Sequence, residues 1–176
     1  YKNKVIGVQA IRVRSTDKLP KNWLNLTRHY LSASELKKYD IVVPDLAGPY
    51  YPAAENCIIL DTMVPDSMDY EMHEAIELVK RNVGGSLTNY VMEKLQYTPE
   101  QLCKAIAAEQ VDGVALAIYN IEEKGQGIII GDQTGIGKGR QAACMIRYGH
   151  LQGKKPIFLT EKPNLFTDLY RDMADI

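Results

Sequence analysis

Residues 128–140 read IIIGDQTGIGKGR, three β-branched residues running into a glycine-rich turn, a lysine and the start of a helical pattern. A phosphate cradle is built from such parts: a strand that delivers the chain, glycines that let backbone amides face an anion, and a helix whose N-terminus adds partial positive charge. Gly135 and Gly137 can take positive φ without a Cβ penalty, and Lys138 can reach the β- and γ-phosphates as a point charge. Two positions depart from the usual G-x-x-x-x-G-K-[ST] spacing. Asp132 stands where the first glycine belongs, and a carboxylate beside a triphosphate is unfavourable unless it points away or meets a cation such as Arg140. Gly139 stands where a Ser or Thr hydroxyl would ligate magnesium, a ligand that water can replace because Mg²⁺ keeps several waters. The motif by itself predicts nucleotide binding and leaves turnover open.

Downstream of the loop, the pattern predicts a helix over 138–148 with Ala142, Ala143, Met145 and Ile146 as its apolar members. A second buried strand follows at 156–160, then a helix over 164–173 with Leu165, Leu169 and Tyr170 inward. Strand, loop, helix, strand, helix is half of a parallel α/β domain, with its strands buried on both faces. Upstream, helices are expected over 71–81, stopped by Gly84-Gly85, and over 87–95. Thr98-Pro99-Glu100-Gln101 has a capping-box signature. A further helix begins near Glu109, with Val111, Val114, Ala115, Ile118 and Ile121 forming one buried stripe. Residues 42–68 carry Pro44, Pro49, Pro52 and Pro65, which rule out a long helix and suggest an irregular arm, with one strand at 57–60. Tyr50-Tyr51 reads as loop tyrosines packed on the domain, or as a base-stacking pair. A short edge strand at 4–13 and a helix opened by Pro20, with Trp23 as a core anchor, complete the reading. The expected fold is therefore α/β: an incomplete RecA-like parallel sheet over 124–176, a helical region over 69–123, and an N-terminal segment with a proline-rich arm over 1–68.

The 176 residues, 45% hydrophobic and 24% charged, suit a globular chain with a sizeable core. No apolar run approaches the roughly 20 residues of a membrane span, so no membrane partner and a soluble, cytoplasmic setting are expected. Cys57, Cys103 and Cys144 are odd in number and far apart, which argues for a reducing compartment, against disulfides or zinc, and for three buried thiols. The net charge of −1 conceals an asymmetry. Residues 61–80 carry six acids against Lys80, whereas residues 124–162 carry seven bases against Asp132 and Glu161. The basic part contains the glycine loop, as an anionic ligand would favour. The chain opens without methionine and ends abruptly, which reads as part of a longer polypeptide.

Three stretches together resemble the strawberry notch family of superfamily 2 helicase-like proteins. They are G-D-Q-T-G-I-G-K-G-R (131–140), K-P-I-F-L-T-E-K-P-N-L-F-T-D-L-Y-R-D-M (155–173) and A-E-Q-V-D-G-V-A-L-A-I-Y-N (108–120). The family's own loop has the aspartate and the second glycine at the two unusual positions. The resemblance covers about residues 90–176; before that it rests on V-P-D-S-M (64–68) and Y-V-M-E-K-L (90–95). It implies ATP and Mg²⁺ as cofactors. Gln110 would be the glutamine that reads adenine, through a bidentate carboxamide contact. Asp132, Thr134, Gly135, Ile136, Gly137, Lys138, Gly139 and Arg140 would form the phosphate site, with Lys138 as the catalytic residue. Thr160, Glu161, Lys162, Pro163 and Asn164 would touch a nucleic-acid backbone, at the strand-end edge where a parallel sheet binds ligands.

The implied activity is that of an ATP-dependent DNA translocase or ATPase, of the kind found in phage antirestriction or DNA-processing proteins of the host cytoplasm or virion. DNA, the remaining helicase lobes and a methyltransferase domain are the implied partners. Hydrolysis in this class needs an acidic D-E-x-H motif and arginine fingers. Asp168, Asp172 and Asp175 do not supply that motif, since they lie on or beside a helix. These 176 residues alone are therefore not expected to hydrolyse ATP. The alternative is a non-catalytic P-loop scaffold or virion-internal protein; a small-molecule kinase is weakened by the missing Ser/Thr after Lys138.

Overall fold

The computed structural model describes residues 12–13, 41–42, 47–132 and 135–176. The chain divides into two compact units, one of residues 1–47 and 65–67, the other of 48–64 and 68–176. In the first, strand β1 (Arg12–Val13) pairs antiparallel with β2 (Ile41–Val42), Arg12 opposite Val42. The rest of the strand expected over 4–13, the Pro20 helix and Trp23 lie outside the described residues.

The second unit is mostly helical. Strands β3 (Ala47–Pro49) and β4 (Met63–Pro65) form a two-stranded sheet. Six helices follow: α1 (Asp66–Asn82), α2 (Leu87–Leu95), α3 (Pro99–Ala105), α4 (Ala108–Lys124), α5 (Lys138–Leu151) and α6 (Asn164–Asp175). Local chemistry sets the ends of several. Ser86 caps α2 by accepting from the Asn89 N–H, and Gln96 closes it in a left-handed conformation, φ 53°. Thr98 and Gln101 form the reciprocal capping box at the start of α3, as their spacing predicts. The core lies between α2, α4 and α5, with Leu87, Val91, Leu95, Leu102, Val111, Val114, Ala115, Ile118 and Cys144 buried. Burying a side chain of this size contributes about 1.5–3 kcal/mol each, so this stripe is what holds the helices together. The stripe ends one turn earlier than its periodicity suggests, because Ile121 is 43% exposed.

A polar cluster also ties these three helices together. The Glu122 carboxylate accepts from Lys94 Nζ (2.9 Å), Tyr148 OH (2.8 Å) and Tyr90 OH (3.1 Å). Burial alone pushes the Glu122 carboxyl upward, but these donors outweigh it and hold it below its usual value.

Several expectations are corrected here. Cys57 and Cys103 are joined by a disulfide, with Cα atoms 4.6 Å apart, and neither is a buried thiol. Folding the proline-rich segment against α3 brings together two cysteines that are 46 residues apart in sequence. Cys144 alone remains a buried free thiol, and burial pushes it up to about 12.

The two expected buried strands form neither helix nor strand and are largely exposed: Ile129 is 93% exposed, Ile157 81% and Leu159 85%. A parallel strand is buried only by neighbours on both sides, and among the described residues neither run has one. Likewise 57–60 forms no strand, and in α6 only Leu169 is buried, Tyr170 being 77% exposed.

The proline-rich segment is not irregular in its bonding. Three of its backbone donors are satisfied by acidic side chains near the start of α4. The Ala53 and Ala54 N–H groups donate to the Asp112 carboxylate (2.8 and 2.9 Å), Tyr50 OH donates to the same group (2.8 Å), and the Leu60 N–H donates to Glu109 Oε1 (2.8 Å). Burial raises the Asp112 carboxyl above its ordinary value despite these donors, and burial with the Asp112 charge raises the Tyr50 phenol strongly. Tyr50 is thus a packed tyrosine, whereas Tyr51 is 81% exposed.

Candidate phosphate-binding site

The glycine turn leads into α5 at its N-terminus. Gly137 is the N-cap residue, held in the left-handed region at φ +83°, and no side chain caps the helix. Gly135 also has positive φ, +101°. The 14-residue helix thus begins without a side-chain cap, as an anion site requires, although the Arg140 N–H already donates to the Gly137 carbonyl at 3.0 Å. Lys138 begins the helix, and its Nζ donates to the Asp132 carbonyl at 2.6 Å, folding the lysine back over the turn. Gln133 and Thr134 lie outside the described residues.

The turn is held by neighbours that its own sequence does not reveal. Gln110, 4% exposed at the start of α4, accepts from the Ala107 N–H through Oε1 (2.9 Å). Its Nε2 donates to the carbonyl of Ile136 (2.6 Å) and, more weakly, to that of Gly137 (3.4 Å). A Cβ at residue 137 would overlap Gln110 Nε2, so the approach itself requires glycine there. In this conformation both ends of the carboxamide are engaged by backbone, and contact with an adenine requires it to leave Ile136.

Asp132, the first unusual position, turns neither to Arg140 nor into the turn: its carboxylate accepts from Gln141 Nε2 at 2.7 Å. Arg140 instead donates to the Ala105 carbonyl at the end of α3 (2.7 Å) and pairs with Asp175 (3.2 Å). The second unusual position has a tertiary cause. Gly139 faces Asp172 of α6, and a Cβ at residue 139 would overlap Asp172 Oδ2. Ile136 is half-buried within the turn.

Gln141, Asp172 and Asp175 were not among the residues expected at this site. Gln141 lies one turn into α5 with only its Gln-Asp pairing to mark it, and the two aspartates come from a helix that sequence separation places over 30 residues away.

The 160–164 segment forms a turn before α6. The Lys162 N–H donates to Thr160 Oγ1 (3.2 Å), and Thr160 is half-buried while Glu161, Lys162, Pro163 and Asn164 are exposed. Pro163 precedes α6 with no side-chain cap. These five residues are thus grouped on one accessible turn.

Among the described residues, no group of three or more His, Cys, Asp or Glu is arranged to hold a metal ion, and no helix is long and apolar enough to cross a membrane. A P-loop site does not need a protein cage for its metal, since Mg²⁺ is bound chiefly by phosphate oxygens and waters with one or two protein oxygens. The uncapped helix, the positive-φ glycines and the carboxylate beside Gly139 fit a magnesium–nucleotide phosphate group on that basis.

A glycine turn into an uncapped helix, with lysine at the first helical position, defines a P-loop nucleotide-binding protein. A family model described as P-loop containing NTP hydrolase pore-1 matches residues 56–176, and the chain belongs to that family. It is similar to a strawberry notch homologue of Caenorhabditis elegans, 40% identical over 76 residues, which are 40% of this chain and 4% of that protein. It is also similar to strawberry notch homologue 2 of Homo sapiens, 37% identical over 78 residues, 41% of this chain and 6% of that protein. The chain therefore matches only a small part of the length of these relatives. Together with the family match they bear out the strawberry notch-like, helicase-family character that the loop and its flanks suggest. No solved structure matches the chain.

Proposed function

We propose that this chain supplies the nucleotide-binding part of a helicase-like ATPase acting on DNA. The observation that carries this reading is the uncapped N-terminus of α5 with Lys138 at its first position and Gly137 at φ +83°. ATP with Mg²⁺ is the proposed ligand. The phosphates would lie against the amides of 135–139 and the ammonium of Lys138, which exchanges its Asp132 carbonyl for a phosphate oxygen. Bound magnesium would supply charge neutralisation at the β- and γ-phosphates.

The runs at 128–130 and 156–160 are proposed as strands of a RecA-like parallel sheet, each buried once further strands flank it. The exposure of Ile129, Ile157 and Leu159 supports this reading, because exposed apolar runs are the surfaces such pairing covers. The exposed turn at 160–164 is the proposed contact with the nucleic-acid backbone, and Lys162 is its cation. An acidic hydrolytic motif would come from a further strand of the same sheet, and arginine fingers from a second lobe.

The test is ATP binding and DNA-stimulated ATPase activity of the whole protein with and without Lys138→Ala. The expected result is loss of both in the variant. Nucleotide binding by the native protein with near-zero turnover, unchanged by DNA or by the substitution, refutes the motor reading and favours a P-loop scaffold.

A further inference from the structure

The residue after the P-loop lysine ordinarily carries a hydroxyl for magnesium, and here it is Gly139. The space that a side chain at 139 would enter is not empty. Asp172 Oδ2, from the C-terminal half of α6, stands where the Cβ would be. This places an acidic oxygen beside the first turn of α5, and the side chain is only 17% exposed. Among the described residues its one ion pair, to Arg171, spans 4.0 Å, too long for a strong bond. The neighbouring aspartate, Asp175, is instead paired with Arg140 at 3.2 Å, so Arg140 is engaged by Asp175 rather than by Asp172.

We propose that Asp172 replaces the missing hydroxyl, so that its carboxylate faces the magnesium ion of the bound nucleotide, directly or through one water. This rests on the nucleotide-binding reading above. The electrostatics restrict what an acid in this place can do. Beside a metal-free triphosphate it is repulsive, whereas beside Mg²⁺ it is attractive and adds a hard oxygen donor, the type that magnesium prefers. Asp172 therefore makes the site select the magnesium complex over free nucleotide more sharply than a neutral hydroxyl would. It also accounts for Gly139: a side chain there would displace the carboxylate. A role confined to packing α6 on α5 has no such metal dependence.

The test measures nucleotide affinity by titration calorimetry in excess MgCl₂ and in EDTA, for the native chain, Asp172→Asn, Asp172→Ala and the double variant Gly139→Ser/Asp172→Ala. Thermal melts report whether each variant is folded. With Asp172→Asn the affinity for the magnesium complex should fall about 10- to 100-fold, the range for loss of a group that orients or ligates a metal. Affinity in EDTA should stay the same or rise, because a repulsive charge has gone. The double variant, with room for its new hydroxyl, should recover much of the magnesium preference that Asp172→Ala loses. Substituting Mn²⁺ gives a second readout: the EPR line shape of the bound Mn²⁺–nucleotide should change in Asp172→Asn.

Equal weakening in MgCl₂ and EDTA, or an unchanged magnesium preference, overturns the assignment while leaving nucleotide binding intact. Absence of nucleotide binding by the native chain under both conditions overturns the assignment and the underlying function together.

Discussion

Gln110 is the residue at which two chemical roles can be separated most cleanly. Its carboxamide bonds the Ala107 N–H at 2.9 Å, the Ile136 carbonyl at 2.6 Å and the Gly137 carbonyl at 3.4 Å, and the residue is 4% exposed. A net contribution of about 1 kcal/mol per good bond, and less for the long one, gives ~2–3 kcal/mol for Gln110→Ala. The bond to Ala107 belongs to the cap of α4 and affects stability alone, whereas the bonds to Ile136 and Gly137 hold the phosphate turn. Gln110→Glu separates the two. Its oxygen can still accept from Ala107, but a carboxylate then faces two carbonyls where an N–H₂ donated.

If holding the turn is worth ~2 kcal/mol, its release weakens binding by up to about 30-fold, a factor of ten per 1.4 kcal/mol. That loss concerns the phosphates, so ATP, GTP and inorganic tripolyphosphate should lose affinity in equal proportion. The assay is competition of the three ligands against a fluorescent nucleotide, in the native protein and in Gln110→Glu. If tripolyphosphate affinity is unchanged while ATP alone weakens, the clasp reasoning is refuted and Gln110 acts on the adenine.

The remaining predictions concern what holds the scaffold in place. The disulfide between Cys57 and Cys103 closes a loop across 46 residues of sequence, so reduction, or Cys103→Ser, should destabilise the chain by about 2–4 kcal/mol. A thermal melt with and without reductant checks this, and coincident transitions would refute it. Glu122, whose folded carboxyl lies below its ordinary 4.5, contributes stability that is fully present above that value and is lost as pH falls through the lower folded value. Denaturant titrations from pH 6 downward should therefore show an acid-dependent loss that is reduced in Glu122→Gln, a variant already less stable at neutral pH because the Lys94 ion pair is gone. Identical pH dependence in both chains would show that the cluster contributes nothing to acid sensitivity.

Helix content was legible to a fine degree because its signals are local. Leu87–Leu95 begins and ends where the pattern places it, and Thr98, Pro99 and Gln101 announce their cap within four residues. The apolar spacing of Val111, Val114, Ala115 and Ile118 likewise identifies the buried face of α4, since a helix repeats every 3.6 residues whatever surrounds it. Ile121 escaped that logic: the pattern places it on the buried face, yet it is 43% exposed. The β-branched runs at 128–130 and 156–160 show another limit: a residue type can favour extended backbone, but pairing depends on a neighbour that no local pattern contains. The pairing of Cys57 with Cys103 was missed for a similar reason. An odd count and wide spacing describe the chain, whereas the bond depends on how residues 50–60 are fastened to α4.

The amino-acid sequence by itself determined the phosphate turn. Glycines that accept positive φ, a lysine at the start of a helix and a basic surrounding segment are requirements met within a dozen residues. Only the tertiary structure decided what its two unusual positions mean. Asp132 is turned onto Gln141, and Gly139 leaves room for Asp172, a carboxylate 33 positions away in the chain. The physical reason is range: backbone conformation and capping are governed by nearest neighbours, while the charge and the free space around a loop are set by side chains that folding brings from other helices.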